Sequence, residues 1–355
     1  HGLGRRAFPR VAAHASRTGS DVTPLVDADR VSLALGGARV VDAVSLRAEP
    51  GDLVAVVGPN GAGKSSLLRL LAGDLDPTEG SVAIGGESVM GASLRRLALR
   101  RSYLSQHPMT DVPFTVRETV MMGRYPHREN PANSPAADAT AVDAALAATD
   151  DAHLSGRVLA TLSGGEEQRV SLARILAQQA PVMLLDEPTT ALDIGHQELV
   201  MRALREATTA GGAVVCVVHD LNLAAVFADR VVLMRAGAAV ATGSPRAVFT
   251  QATLSAIYEH PIEVVDHPLG HGLVERRVEL VTVERRGDLA QPASLVPRNR
   301  RRRPGPHLAH GEYVVVVRHR SLTGCRRAGG RARRAGAARP RGRDRPPGHR
   351  RGGTR

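Results

Sequence analysis

Three short runs of uninterrupted apolar residues stand out in the chain, at residues 53–57, 182–185 and 213–218. Such runs are typical of parallel strands that are covered on both faces. Residues 65–72 follow the first run with leucines at helical spacing and end before Gly73, a typical helix terminator. Because helical sequence lies between and around the runs, the pattern predicts an α/β fold with a mostly parallel core sheet and helices on both faces.

The stretch from about residue 107 to 162 breaks this pattern. Five prolines punctuate it, and residues 136–148 form an alanine-rich helical segment. We predict a helical subdomain inserted between two halves of the sheet domain. A strand, a glycine turn and a second strand over 230–243 lie near the end of a domain that spans 25–283, after a mobile leader over 1–24.

The net charge of +12 is unevenly distributed. Residues 285–355 hold 21 of the arginines and three acidic residues, so the rest of the chain is net negative by six. The composition of 284–355, rich in Arg, Gly and Pro, predicts a disordered tail; a nucleic-acid-binding arm and an out-of-frame translation are the alternatives. The longest apolar run has six residues, against about 20 for a membrane span, so we expect no transmembrane segment.

Residues 58–65, Gly-Pro-Asn-Gly-Ala-Gly-Lys-Ser, match the phosphate-binding loop and lie between a predicted strand and a predicted helix, as that motif requires. Lys64 is the single lysine among 47 basic residues, which indicates a tight site where Arg would not serve. We expect Lys64 to reach the outer phosphates and Ser65 to hold Mg²⁺. The predicted nucleotide-binding residues are Gly58, Pro59, Asn60, Gly61, Ala62, Gly63, Lys64, Ser65 and Ser66.

Two carboxylates, Asp186 and Glu187, follow the second apolar run. At the end of a buried strand, Asp186 is placed to bind Mg²⁺, directly or through water, and Glu187 to activate the attacking water as a general base. The same residues also fit a strand that runs into an acidic helix start, since Pro188 and Thr189 follow.

Residues 162–166, Leu-Ser-Gly-Gly-Glu, precede helical sequence. Ser163 and Glu166 fit a capping box, which would make the segment an ordinary helix start. The alternative is that this helix start, with its hydroxyl and with Gly164 and Gly165, faces a phosphate. Because the chain already has a phosphate-binding loop, such a second site suggests contact across a dimer.

Together these segments resemble the ATP-binding-cassette (ABC) ATPases. The phosphate-binding loop, residues 162–166, Leu-Leu-Asp-Glu-Pro at 184–188, Thr-Ala-Leu-Asp at 190–193 and His219 follow in the order and spacing of that family. The resemblance implies a head-to-tail homodimer that holds two ATP molecules between Lys64 of one subunit and the Ser163 segment of the other. It further implies that Asp193 communicates between the sites, that His219 contacts the γ-phosphate, and that Gln106 senses Mg²⁺ and passes closure to a membrane partner.

Within this family, residues 120–127 and 219–225 resemble the importer branch for haem, ferric siderophores and vitamin B12, and residues 168–178 and 258–264 resemble its haemin-import ATPases. The resemblance implies a peripheral protein on the cytoplasmic face of the membrane. Its partners would be two copies of a permease and a periplasmic or lipid-anchored haemin-binding protein. Ferric siderophore and cobalamin are the alternative cargoes, and a soluble nucleic-acid-associated ATPase is the alternative class. One departure is Leu35, where the family usually stacks adenine on an aromatic residue.

Overall fold

The computed structural model describes residues 23–106, 113–130 and 133–266, and the backbone of 313–317. The strands are β1 (Val26–Leu35), β2 (Ala38–Ala48), β3 (Leu53–Val57), β4 (Glu79–Ile84), β5 (Glu87–Ser88), β6 (Arg101–Leu104), β7 (Val182–Asp186), β8 (Ala213–Val217), β9 (Arg230–Arg235), β10 (Ala238–Gly243), β11 (Ile262–Asp266) and β12 (Tyr313–Val317). The helices are α1 (Lys64–Ala72), α2 (Leu94–Arg100), α3 (Val116–Met121), α4 (Pro135–Ala148), α5 (Gly164–Gln178), α6 (Ile194–Thr209), α7 (Leu221–Phe227), α8 (Pro245–Val248) and α9 (Gln251–Tyr258).

The central sheet has the strand order β10-β9-β3-β8-β7-β6, and its pairs are parallel except for β9 with β10. The three predicted apolar runs become β3, β7 and β8, and all five residues of each strand are buried. A second sheet, β2-β1-β4-β5, is antiparallel. The predicted α/β fold with a mostly parallel sheet is therefore confirmed.

Each face of the central sheet has its own hydrophobic core. Successive residues of a strand point to opposite faces, so Leu53, Ala55 and Val57 pack with the helices α5, α6 and α7. Val54 and Val56 instead pack with the leucines of α1 and with the antiparallel sheet. This arrangement explains why the central strands read as continuous apolar runs rather than as alternating patterns.

The predicted helical insertion lies between β6 and β7. The helices α3 and α4, with a 3₁₀ turn over Met122–His127, pack against α5. The predicted insertion covers about 107–162, and the helix α5 that follows it packs its buried face against α3 and α4. The short α3 and the alanine-rich α4 need the longer amphipathic α5 to bury their apolar side chains.

Arg124 joins the parts of this subdomain through a buried polar network. Its side chain is 6% exposed and donates to the Asp138 carboxylate at 2.7 Å, the Ala177 carbonyl at 2.8 Å and the Gln179 side chain at 2.9 Å. The Ala177 carbonyl belongs to the last turn of α5, where a cation also complements the helix dipole. Arg124 therefore ties the 3₁₀ turn and α4 to the C-terminal end of α5.

The predicted domain start at 25 lies among the described residues, whereas its predicted end at 283 lies outside them. The first strand begins at Val26, one residue after the predicted start at 25, and β9 and β10 form the predicted strand pair near the end of the domain. Residues 1–22, 107–112, 131–132, 267–312 and 318–355 lie outside the described residues, and with them the predicted leader up to 22 and most of the predicted tail. The backbone of β12 pairs antiparallel with β11. Within the described part of the chain, no helix has the length and apolar character needed to span a membrane.

Replacing Arg124 by Gln should lower the free energy of unfolding by about 3 kcal/mol, because the largely buried Asp138 carboxylate loses its ionic partner. Chemical denaturation monitored by circular dichroism measures this loss. Arg117→Gln is the matched control, since Arg117 makes an ion pair with Asp143 that is exposed on both sides; it should cost less than about 1 kcal/mol. Equal losses in the two variants would contradict the assignment of Arg124.

Candidate active site

Four parallel strands end at the same edge of the central sheet. Asp186 of β7 lies level with Val217 of β8, and Val217 lies level with Val56 of β3. On the other side of β7, Leu104 of β6 pairs with Leu185. The residues that follow these strand ends are Gly58, Gln106, Glu187 and His219. The carboxyl edge of a parallel sheet is where such folds bind their ligands.

The predicted phosphate-binding loop connects β3 to α1, and its glycines have backbone conformations that other residues rarely adopt. Gly58, Gly61 and Gly63 have φ values of 148°, 77° and 93°. A Cβ atom on Gly58 would lie 2.1 Å from the Met234 carbonyl oxygen, and one on Gly63 would lie 2.5 Å from that of Val40. The loop is thus pressed against β9 and β2, which leaves its backbone N–H groups at the start of α1 to bind an anion.

Lys64, the first residue of α1, folds back over this loop. Its side-chain amine donates to the carbonyl oxygens of Gly58 at 2.9 Å and Pro59 at 3.0 Å. Burial lowers the pKa of Lys64, while the nearby carboxylates of Glu187 and Asp186 raise it. The residue is 6% exposed. Lys64 is therefore a cation inside the loop, next to both predicted acidic residues.

Asp186 ends β7 and is 2% exposed. Burial raises its pKa, and a hydrogen bond from Ser65 lowers it. Its Oδ1 atom is buried without a hydrogen-bond partner, which is costly for a carboxylate unless another group satisfies it. A hydroxyl and a carboxylate with a spare oxygen are ligands that suit Mg²⁺. The residues present at this point therefore fit the predicted metal ion.

Glu187 is held in the left-handed region, with a φ of 54°, and strained positions of this kind cluster at functional sites. His219 Nε2 donates to its Oε1 atom at 2.5 Å, and Thr190 donates to its Oε2 atom at 3.2 Å. Burial raises the pKa of Glu187, but the hydrogen bonds from His219, Gln106 and Thr190 outweigh burial, so the pKa lies below its usual value. The structure thus brings Glu187, His219 and Gln106 together.

The second predicted phosphate-facing segment lies at the start of α5. Ser163 is the N-cap residue of α5 and forms the predicted capping box with Glu166. A Cβ atom on Gly165 would lie 3.4 Å from the carbonyl oxygen of Ala191, so this helix start lies beside the segment that leads to Asp193. Asp193 caps α6 and accepts from the His196 backbone N–H at 2.9 Å. Ser163 and Asp193 thus mark two neighbouring helix starts.

Sequence reasoning missed three contacts of the site. Thr190 bonds the Glu187 carboxylate, as described above, and Gln168 of α5 donates to the Glu187 carbonyl at 3.4 Å. The phenol of Tyr258 hydrogen-bonds the backbone of Gly58, and burial raises the pKa of Tyr258 to about 12. Tyr258 and Gln168 lie in segments that the resemblance singled out, but only the fold shows which groups they reach.

Comparison with known proteins shows which family the chain resembles. Residues 41–190 match the family model described as "ABC transporter". The chain is 50% identical over 231 residues to the hemin import ATP-binding protein HmuV of Nocardia farcinica, covering 65% of this chain and 80% of that protein. It is also 50% identical over 234 residues to HmuV of Streptomyces coelicolor, covering 66% and 83%.

A solved structure gives the same family from the fold. The ATP-binding cassette MJ0796, in a dimeric post-hydrolysis state bound to ADP and Pi, is 27% identical to this chain. The two structures align with a TM-score of 0.56 over 62% of this chain and 99% of that one. The predicted fold family is therefore confirmed.

Replacing His219 by Ala should shift the acid limb of nucleotide hydrolysis to higher pH. A general base acts only when deprotonated, and the His219 hydrogen bond lowers the pKa of Glu187; its loss raises that pKa, so activity disappears at a higher pH. The dependence of kcat/KM on pH measures the shift. His153→Ala, which removes an exposed histidine outside this cluster, is the control. An unmoved acid limb in His219→Ala would contradict the prediction that the His219 hydrogen bond sets the pKa of a catalytic Glu187.

Proposed function

The chain belongs to the ABC transporter family of ATPases, and from this premise we propose that it is the ATP-hydrolysing subunit of an importer for haemin. The observation that supports haemin as the cargo is the 50% identity to hemin import proteins of two genera, over at least four-fifths of their length. The observation that supports hydrolysis is the group formed by Glu187, His219 and Gln106 beside the phosphate-binding loop.

Binding of ATP begins at the loop 58–66. The N–H groups at the start of α1 bind the phosphates, and Lys64 exchanges the Gly58 and Pro59 carbonyls for phosphate oxygens. Ser65 and Asp186, together with Gln106, would hold Mg²⁺. When bound, the ion neutralises charge on the phosphates and orients them.

Hydrolysis rests on Glu187. Its carboxylate is ionised at neutral pH, because the hydrogen bonds from His219, Gln106 and Thr190 keep its pKa low. It can therefore accept a proton from the attacking water, while His219 holds the carboxylate in place and contacts the γ-phosphate. Lys64 stabilises the charge that develops on the transferred phosphoryl group.

The site is completed across a head-to-tail dimer. Ser163, Gly164, Gly165 and Glu166 of one subunit would face the ATP bound by Lys64 of the other, and Asp193 would connect the two sites. The dimeric state of MJ0796 with bound ADP and Pi supports this arrangement. Leu35 has an exposed side chain at the end of β1, and it would give the base an apolar contact in place of stacking.

Coupling to transport involves a groove of about 670 Å³ beside the 3₁₀ turn that follows α3. Its apolar lining comes from Phe114, Met121, Met122 and Tyr125. The guanidinium carbon of Arg128 lies 5.0 Å from the centre of the Tyr125 ring, above its face. Aromatic residues, Met and Arg are enriched at protein interfaces. We assign this groove to the permease, of which two copies would bind the ATPase dimer at the cytoplasmic face of the membrane. A periplasmic or lipid-anchored haemin-binding protein would complete the transporter.

The variant Glu187→Gln should bind ATP and hydrolyse it at least about 100-fold more slowly, because an amide cannot accept the proton of the attacking water. Single-turnover hydrolysis and nucleotide binding, measured on the same preparation, separate the two effects. Glu206→Gln, on the solvent-accessible side of α6, serves as the control for loss of one carboxylate. Near-normal turnover in Glu187→Gln would remove the general-base assignment.

Deletion of the gene in its source organism should abolish growth on haemin as the sole iron source and leave growth on a ferric siderophore intact. Complementation with the wild-type gene should restore growth, and complementation with the Glu187→Gln gene should not. Loss of growth on the siderophore alone would move the cargo to ferric siderophore. Unchanged growth on both iron sources would contradict haemin as the cargo and direct the test to cobalamin.

A further inference from the structure

The hydroxyl that is expected to face the partner's ATP is already engaged within its own subunit. Ser163 Oγ donates to Glu166 Oε2 at 2.8 Å, and the Ser163 backbone N–H donates to the same oxygen at 2.7 Å. A single carboxylate oxygen therefore takes both donors of Ser163. A phosphate oxygen that approaches Ser163 must displace this carboxylate oxygen from the hydroxyl.

The other carboxylate oxygen faces a cation. Arg157 Nη1 lies 3.6 Å from Glu166 Oε1, and Arg157 Nη2 donates to the Thr161 carbonyl at 2.7 Å. The Thr161 bond holds the guanidinium beside the turn that leads into α5. The hydrogen bonds from Ser163, with the charges of Arg157 and Arg169, keep the pKa of Glu166 below its usual value, so this carboxylate is negatively charged at neutral pH.

A second capping box in the chain shows which of these contacts capping requires. At the start of α3, the Thr115 backbone N–H and hydroxyl both donate to Glu118 Oε2 at 2.8 Å, which repeats the geometry of Ser163 and Glu166. Thr115 alone lowers the pKa of Glu118. The capping bonds thus form without an arginine, and the additional cation is a feature of the α5 start.

We propose that Glu166 is an electrostatic gate on the nucleotide site of the opposite subunit, and that Arg157 is the counter-ion that lets this gate open. In the separate subunit, Glu166 holds the Ser163 hydroxyl. When ATP on the partner approaches, its phosphate and the Glu166 carboxylate are like charges that compete for one hydroxyl. Arg157 screens the carboxylate and retains it on Oε1 while Ser163 turns to the phosphate. The inference rests on the head-to-tail dimer of the proposed function.

The test is ATP-driven dimerisation of the full-length chain in the Glu187→Gln background, which prevents turnover. Sedimentation velocity at a series of ATP and Mg²⁺ concentrations gives the half-saturating ATP concentration. Glu166→Gln keeps an acceptor for Ser163 but removes the charge, so half-saturation should fall about three- to tenfold. Arg157→Gln leaves the charge unscreened and should raise half-saturation by a similar factor. The double variant should have the same half-saturating ATP concentration as Glu166→Gln alone, because the counter-ion has no role once the charge is gone.

Two controls separate the gate from simple capping. Glu118→Gln makes the same change in the capping box of α3, and Arg117→Gln removes an exposed arginine of the same subdomain; neither should move the half-saturating ATP concentration. Thermal denaturation of every variant checks that the fold is retained. If Glu166 acts only as a cap, Glu166→Gln and Arg157→Gln will both weaken dimerisation and their effects will add.

The possible failures are distinguishable. If the Glu187→Gln background itself does not dimerise with ATP, the head-to-tail dimer of the proposed function is overturned, and the gate with it. If the background dimerises and Glu166→Gln has the same or a higher half-saturating ATP concentration, the gate alone is overturned. The gate is supported if the half-saturating ATP concentration is lower in Glu166→Gln, equally low in the double variant, and higher in Arg157→Gln than in the background.

Discussion

The register of the parallel strands β6, β7, β8 and β3 is the constraint on which the rest of the structure depends. Asp186, Val217 and Val56 lie level across three strands, so the residues that follow them meet at one edge of the sheet. A slip of one residue would turn every side chain of a strand to the opposite face. It would move Asp186 away from Ser65 and put buried valines on the wrong side. The two hydrophobic cores, one on each face, therefore fix the geometry of the site as well as the stability of the sheet.

The backbone conformation of Glu187 at this edge of the sheet decides where its carboxylate points. Its backbone leaves β7 with a positive φ and with its N–H bonded to the Val217 carbonyl at 3.2 Å. This conformation turns the carboxylate toward His219, which follows the neighbouring strand. The strain is offset by contacts from several elements, including Gln168 of α5. Because α5 also begins after Ser163, the proposed general base Glu187 and the helix proposed to serve the partner's site belong to one connected set of contacts.

Much of this arrangement could be predicted from the sequence, because it follows from local patterns. Buried parallel strands read as apolar runs, and the phosphate-binding loop has a fixed spacing between its glycines and Lys64. The sequence alone could not reveal contacts between residues that only the tertiary fold brings together. Tyr258 reaches Gly58 across 200 positions of sequence, and Arg124 reaches Ala177 and Gln179 across more than 50. The packing of α5 against α3 and α4 likewise depends on the tertiary fold and has no local signal in the sequence.

The single lysine of the chain is explained by the shape of the loop that surrounds it. A Cβ atom at Gly58 or Gly63 would collide with the backbone of β9 or β2, so the loop has no spare room. The Lys64 ammonium fits because its three donors radiate from one nitrogen, and two of them reach neighbouring carbonyls of the loop. The planar fork of a guanidinium would need a wider space and would leave buried donors unpaired. A compact cation can also exchange carbonyl oxygens for phosphate oxygens by a small rotation of its stem. Every other basic residue of the chain, histidine aside, is arginine. The single lysine thus lies where a cationic group must change its hydrogen-bond partners within a confined loop.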